Sequence, residues 1–187
     1  MERDIFVMQQ LREGQTELFG ELLERHRLPV YHFLYRMVQN QPVAEELAQE
    51  VFLRVYRSRA KYEPSAKFTT WLFRIAMNLA LNWVRDNRHE MGQGSLDEEQ
   101  ADGKVRQISD RKPDIEQQLV RQVKLSEVRE AISRLPEKQR AAVLMHKYQE
   151  MEYTQIATVL GCSESAVKSL LFRAYETLRS RLAHHAG

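Results

Sequence analysis

Apolar residues recur along this chain at steps of three and four. Leu18, Leu22 and Leu23 form one set, Val30, Phe33, Leu34 and Met37 a second, and Ala44, Leu47, Val51, Phe52 and Val55 a third. That spacing stacks side chains on one face of a helix. No convincing segment alternates apolar and polar residues as a half-buried strand does. Proline and glycine number 5 and 7 in 187 residues, and they sit at the joints between the periodic segments. Pro29 and Pro42 stand where helix starts are expected, because proline is tolerated in a first turn. The fold class that follows is all-α.

The periodicity stops between Asp86 and Pro113. The stretch DNRHEMGQGSLDEEQADGKVRQISDRKP has two glycines within three residues, mixed charge and few large apolar groups. It has too little apolar surface to offset its chain entropy, so residues 86–113 read as a flexible linker. Two small helical domains are expected on either side, residues 1–85 and 114–187, neither repeating the other. Charge follows the same division. The first block has 12 Lys and Arg against 10 Asp and Glu, the middle 5 against 7, and the last 11 against 9. Two weakly basic blocks around an acidic middle suit nucleic-acid binding by local patches, and they suit an ordinary solvated surface equally.

Several function classes are excluded at this level. No apolar run approaches the roughly 20 residues that span a bilayer, so no membrane insertion is expected. MERDIFVMQQ lacks the apolar segment of a signal peptide, which makes a cytoplasmic protein the expectation. A single cysteine, Cys162, leaves no disulfide framework and no multi-cysteine zinc site. Glu45, Glu46 and Glu50 resemble helix-borne carboxylate ligands, yet the Glu-x-x-His pairs of a di-iron bundle do not occur. The six histidines have no ligand spacing beyond the tail pair His184 and His185. HExxH, P-loop and GxSxG motifs are absent. No metal, no cofactor and no catalytic residue are expected.

The stretch YTQIATVLGCSESAVKSLLFRA (residues 153–174) has the layout of a helix-turn-helix. Ala157 is small where the two helices approach most closely. Gly161 supplies a turn position that tolerates a left-handed backbone. Ser163 can cap the second helix, and Glu164 suits that helix's positive end. Val167, Leu171, Ala174 and Leu178 define the buried face. The opposite face carries Ser165, Ala166, Ser169 and Arg173, with Lys168 at its edge, a small and polar surface suited to a DNA major groove. A plain helical hairpin with a glycine turn is the blander alternative. Upstream, LPEKQR starts a supporting helix at Pro136, carrying Ala141, Ala142, Val143, Leu144 and Tyr148. Cys162 in the turn reads as a small packing residue.

In the first domain, KFTTWLFRIAMNLALNWVRDNR (residues 67–88) reads as one helix. Phe68, Leu72, Ile75, Ala76, Leu79 and Trp83 form a broad apolar face. The other side is a stripe of Lys67, Thr70, Trp71, Arg74, Met77, Asn78, Asn82 and Arg85. Cations that meet phosphates, rings that stack on bases and amides that read base edges suit single-stranded nucleic acid. A core helix with a polar outer side is the alternative reading.

The order AEELAQEVFLRVYR, FTTWLFRIAMNLALNWVR, a variable linker, LPEKQRAAVLM and YTQIATVLGCSESAVKSLLFRAYETLR resembles a bacterial sigma factor of the sigma-70 family. It is most similar to the small extracytoplasmic-function (ECF) subgroup, which keeps two domains. The resemblance implies that Glu46, Gln49, Glu50, Phe52 and Arg54 dock on core RNA polymerase, mainly on the β′ clamp helices, although a solvated amphipathic helix accounts for the carboxylates equally well. It implies that Lys67, Trp71, Arg74, Asn78 and Asn82 melt the −10 promoter element and hold flipped bases of one strand, whose cost of a few kcal/mol the contacts must offset. It implies that Ser165, Ala166, Lys168, Ser169 and Arg173 read the −35 element as duplex, and that an anti-sigma factor is a further partner. The linker would run through polymerase channels near the RNA path.

The subgroup commonly shows Gly-Thr where this chain has Ser165 and Ala166, and arginine where it has Leu170 and Tyr175. Fewer cations on the recognition helix imply fewer phosphate contacts and a shallower salt dependence. An exposed Leu170 could instead touch a thymine methyl or a partner protein. The other classes weighed are a stand-alone helix-turn-helix regulator that does not work through core polymerase and an adaptor that binds only proteins. The regulator should bind duplex DNA tightly by itself; the adaptor should show no salt-dependent DNA affinity.

Overall fold

The computed structural model describes residues 2–87 and 115–183. Among the described residues eight α-helices run in chain order: α1 (Glu2–Arg12), α2 (Phe19–Val38), α3 (Gln41–Ser58), α4 (Phe68–Asp86), α5 (Ile115–Ser133), α6 (Glu137–Tyr148), α7 (Tyr153–Leu160) and α8 (Glu164–Leu182). Short 3-10 turns cover Thr16–Leu18 and Arg59–Lys61, and there is no strand among the described residues. The all-α expectation therefore holds, with one helical unit before and one after the linker. Most of the predicted linker, residues 88–113, lies outside the described residues.

Local chemistry accounts for most of the helix boundaries. Asn40 Oδ1 accepts the Val43 N–H at 3.1 Å and caps α3, with Pro42 in the first turn as expected. Gln39 ends α2 with a left-handed φ of 55°. Pro136 precedes α6. Pro29 is different. It lies inside α2 rather than at a helix start. Its ring removes one backbone hydrogen bond at a cost of about 3 kcal/mol. Burying Leu22, Val30, Phe33, Leu34 and Met37 on the same helix gains about 1.5–3 kcal/mol each, so the helix continues through the proline.

In the first unit, α2, α3 and α4 pack on one another, and the rings of Phe33 and Phe73 meet edge to face at 5.3 Å. Helix α1 buries Val7, Met8 and Leu11 in the core and is tied on by polar contacts as well. Arg3 and Arg25 both reach Glu21, Arg25 also pairs with the buried Asp4, and His26 Nε2 lies 3.3 Å from Asp4. In the second unit, α5, α6 and α7 all pack on α8. The two units are not separate cores. Helix α4 lies against α7 and α2 against α6, and the buried apolar cluster is continuous across both. The linker composition gave no sign of this packing.

Candidate nucleic-acid interface

The helix-turn-helix forms as its residues require. Glu152 and Gln155 make a reciprocal capping box at the start of α7. Gly161 has φ 63°, and a Cβ built there would meet nothing within 4 Å, so the position needs glycine for its backbone conformation and not for space. Ser163 Oγ accepts the Ala166 N–H at 3.1 Å and starts α8. Ile156, Ala157, Val159, Val167, Leu171, Ala174 and Leu178 are all buried. Cys162 is half-buried and packs against this core.

The outer face of α8 exposes Ser165, Lys168, Ser169 and Arg173, while Ala166 is half-buried at its margin. Lys168 pairs with Glu164 at 2.9 Å, and Ser169 Oγ donates back to the Ser165 carbonyl at 3.1 Å. Phe172 is 68% exposed on the same face and was missed in the sequence reading. Its spacing from Ser165, Lys168 and Ser169, by seven, four and three, is the signal that places it there. Leu170 is half-buried and packs against the core, so it is not the exposed contact anticipated. Tyr175 is half-buried too. Its hydroxyl is buried without a hydrogen-bond partner, and burial, with a smaller contribution from Tyr153, raises its pKa.

Helix α4 exposes Arg74, Asn78, Asn82 and Arg85 in one strip. Lys67 and Trp71 border it, both half-buried. The Trp71 ring stands 5.0 Å from Tyr62 and 5.9 Å from Phe68, which holds one side of the indole in an aromatic cluster. Thr70 and Met77 were placed on this stripe from the sequence, but they are 3% and 1% exposed. Thr70 Oγ1 accepts from Gln155 Nε2 of α7 at 3.3 Å, so this flank faces the second unit.

Helix α3 exposes Glu46, Gln49 and Arg54, with Glu50 half-exposed. Arg54 Nε donates to Glu50 Oε1 at 2.7 Å, and that hydrogen bond lowers the Glu50 carboxyl pKa. Phe52 does not belong to this face. It is 5% exposed and sits in the core with Val51 and Val55. Leu53, 48% exposed, occupies the apolar place beside Gln49 and Glu50 instead, four and three residues on.

The chain matches two family models, Sigma-70 region 2 over residues 22–90 and Sigma-70, region 4 over residues 125–178. It is 34% identical to the RNA polymerase sigma factor CarQ of Myxococcus xanthus, over 94% of this chain and 95% of that protein. The chain belongs to the sigma-70 family, in its ECF subgroup. The ECF RNA polymerase sigma factor SigW of Bacillus subtilis is 28% identical over 94% of both chains. Among solved structures, CnrH in complex with the cytosolic domain of CnrY superposes with a TM-score of 0.69 at 20% identity, covering 97% of each chain. The sigma factor RpoE of Bartonella quintana, solved with the anti-sigma factor NepR, gives 0.68 at 19% identity, covering 88% of this chain and 96% of that one. These two likenesses establish the fold. As an ECF sigma factor, the protein works through core RNA polymerase to start transcription at promoters, which sets aside the stand-alone regulator. No helix among the described residues is long and apolar enough to cross a membrane.

Proposed function

We propose that the sigma factor divides promoter recognition between its two units, with residues 1–85 and 114–187 as the working domains. The outer face of α8, with Ser165, Lys168, Ser169 and Arg173, reads the −35 duplex, and Ala166 borders it. The strip Arg74, Asn78 and Asn82, flanked by Lys67 and Trp71, takes the separated −10 strand. The face of α3 with Glu46, Gln49, Glu50 and Arg54 docks on the β′ clamp helices, with Leu53 rather than Phe52 as its apolar contact.

The observation that carries this reading is the division of α4. Most of its apolar residues are buried, while two cations and two amides remain together in solvent. A helix whose outer side merely solvates the protein has no need of amides at two successive turns. Amides pair with base edges, and arginine supplies phosphate contacts and stacking.

The sigma factor has no chemistry of its own in this reading; the polymerase makes the RNA, in the cytoplasm. An anti-sigma factor that covers both units is the expected antagonist. The support for it is that a relative of the same fold was solved with an anti-sigma factor. The experiment is reconstitution. The purified chain is added to sigma-free core polymerase, start sites are mapped, and melting of the −10 region is followed by permanganate. Specific starts that depend on the chain are expected, and their absence overturns the reading.

A further inference from the structure

Glu164 is the first residue of α8, and Lys168 stands one turn on. Both side chains are exposed, and Glu164 Oε1 lies 2.9 Å from Lys168 Nζ. The Lys168 ammonium also stands 5.9 Å from the centre of the Tyr153 ring, so α7 backs one side of it. The residues beside this pair are short. Ser165 and Ser169 share the outer face, and the Ser169 hydroxyl donates back to the Ser165 carbonyl at 3.1 Å. Two long charged side chains therefore rise beside a low floor. A recognition helix of that shape can lie deep in a major groove, where its N-terminal residues meet base edges.

As a surface ion pair at four-residue spacing, Glu164 and Lys168 add little to stability. The carboxylate suits a helix start. On a face that approaches a polyanion, however, it repels phosphate unless the DNA offers it a donor. In the major groove the base donors are the cytosine N4 and adenine N6 amines. Within a C·G pair, cytosine N4 and guanine O6 are hydrogen-bonded to each other, about 2.9 Å apart. The side-chain pair has the same spacing and the complementary order of acceptor and donor. The N4 amine can donate to Glu164 while the Lys168 ammonium donates to guanine O6 and N7. An A·T pair fits less well. Its adenine N7 is an acceptor beside the amine, where it repels the carboxylate, and thymine gives the lysine one acceptor and a methyl group.

We propose that Glu164 and Lys168 together read one C·G base pair of the −35 element, with Glu164 as the residue that selects cytosine, an assignment that rests on the −35 reading of α8 proposed above. The two charges cancel within the pair, so it supplies base selection rather than attraction for the backbone. Arg173, an exposed cation on the same face, remains for phosphate or guanine.

The test uses the holoenzyme, core polymerase with the full chain, to select from promoters randomised across the −35 element. The wild type is compared with Glu164→Ala, Glu164→Gln and Arg173→Ala, and circular dichroism shows that each variant keeps its helices. The expected result is one C·G position that the wild type favours about tenfold over other pairs. Glu164→Ala should flatten that position and no other. Glu164→Gln should move it towards adenine, whose N6 and N7 match an amide. A purely structural role for Glu164 would weaken binding at every sequence and leave the motif unchanged. That result, or a Glu164→Ala motif equal to the wild type at full affinity, overturns the proposal. If Arg173→Ala changes the motif and Glu164→Ala does not, the −35 reading stands and Glu164 alone is removed from it. If the wild type shows no preference across the −35 element, the reading of α8 itself falls, and the assigned base pair falls with it.

Discussion

Ser163 Oγ lies 3.1 Å from the backbone nitrogen of Ala166 and accepts its hydrogen bond, so the first turn of α8 is closed by a side chain from the helix-turn-helix turn. The four N–H groups at a helix start have no partner within the helix, and a capping oxygen replaces water on one of them. Ser163→Ala should cost about 1 kcal/mol, and Ser163→Asp should restore most of it. The check is urea unfolding: the midpoint falls for alanine with an unchanged slope. A midpoint equal to the wild type would mean that the cap contributes nothing.

Gly161 sets the angle between α7 and α8. Its φ of 63° is left-handed, and the space around it is open. Gly161→Ala should therefore cost about 1–2 kcal/mol, the penalty of an L-residue in that conformation, with no added clash. Gly161→Asn should cost less, because asparagine adopts this conformation more readily. Thermal unfolding of the pair checks the order. Equal losses for alanine and asparagine would point to packing instead.

These two positions were legible in the sequence because each acts locally, Ser163 through a cap three residues on and Gly161 through its own backbone. The stripe Val167, Leu171, Ala174 and Leu178 was legible for the same reason: helical period is local. Pro29 was misread because burial along α2 outweighs a local penalty. Phe52 was placed correctly in the apolar set by its period, and only the resemblance assigned it to the docking face. One residue is about 100° of rotation, which separates a core ring from the exposed Leu53. Thr70 looked like a member of the exposed stripe because the group that meets it, Gln155 of α7, lies 85 residues away. Such pairing leaves no periodic trace. Arg140, buried on α6 and donating to the Met37 carbonyl, did leave one, since it stands three and four residues before the buried Val143 and Leu144, where an apolar residue is expected.

Asn78 is exposed at the centre of the α4 strip, one turn beyond Arg74 and one before Asn82. Asn78→Ala removes an amide without touching the core. Open-complex formation should fall by an amount worth about 1–3 kcal/mol, the value of a base contact, while first docking on the promoter changes little. Permanganate reactivity of the −10 bases is the measurement. Undiminished reactivity removes Asn78 from the strand-binding role.

Leu53 and Phe52 are neighbours with opposite environments, which separates docking from folding. Leu53→Asp changes an exposed side chain and should leave the unfolding midpoint nearly unchanged while weakening the affinity for core polymerase. Phe52→Ala should destabilise the first unit by about 3–5 kcal/mol through the cavity it leaves. Unfolding and polymerase titration of both variants decide the matter. A Leu53→Asp protein with wild-type polymerase affinity removes α3's outer face from docking.

Glu21 connects α1 to α2 and sets an acid limit on that connection. Its carboxylate takes hydrogen bonds from Arg3 at 2.8 and 2.9 Å and from Arg25 at 2.8 Å. The Arg3 bond is the main cause that brings its pKa down from 4.5 to about 2. A carboxyl whose folded pKa is depressed binds protons more readily when unfolded, so its stabilising contribution is fully present above about pH 4.5. It drains away as pH falls from there towards 2. Glu21→Gln removes the contribution at every pH. The stability difference between wild type and variant should therefore be constant near neutrality and shrink below pH 4.5. It should also shrink with added salt, because the group is exposed and its pairs are screened. Urea unfolding across pH 2.5–7 reads this directly. A difference that stays constant to the acid end would show that the arginines do not hold the carboxylate in its charged form.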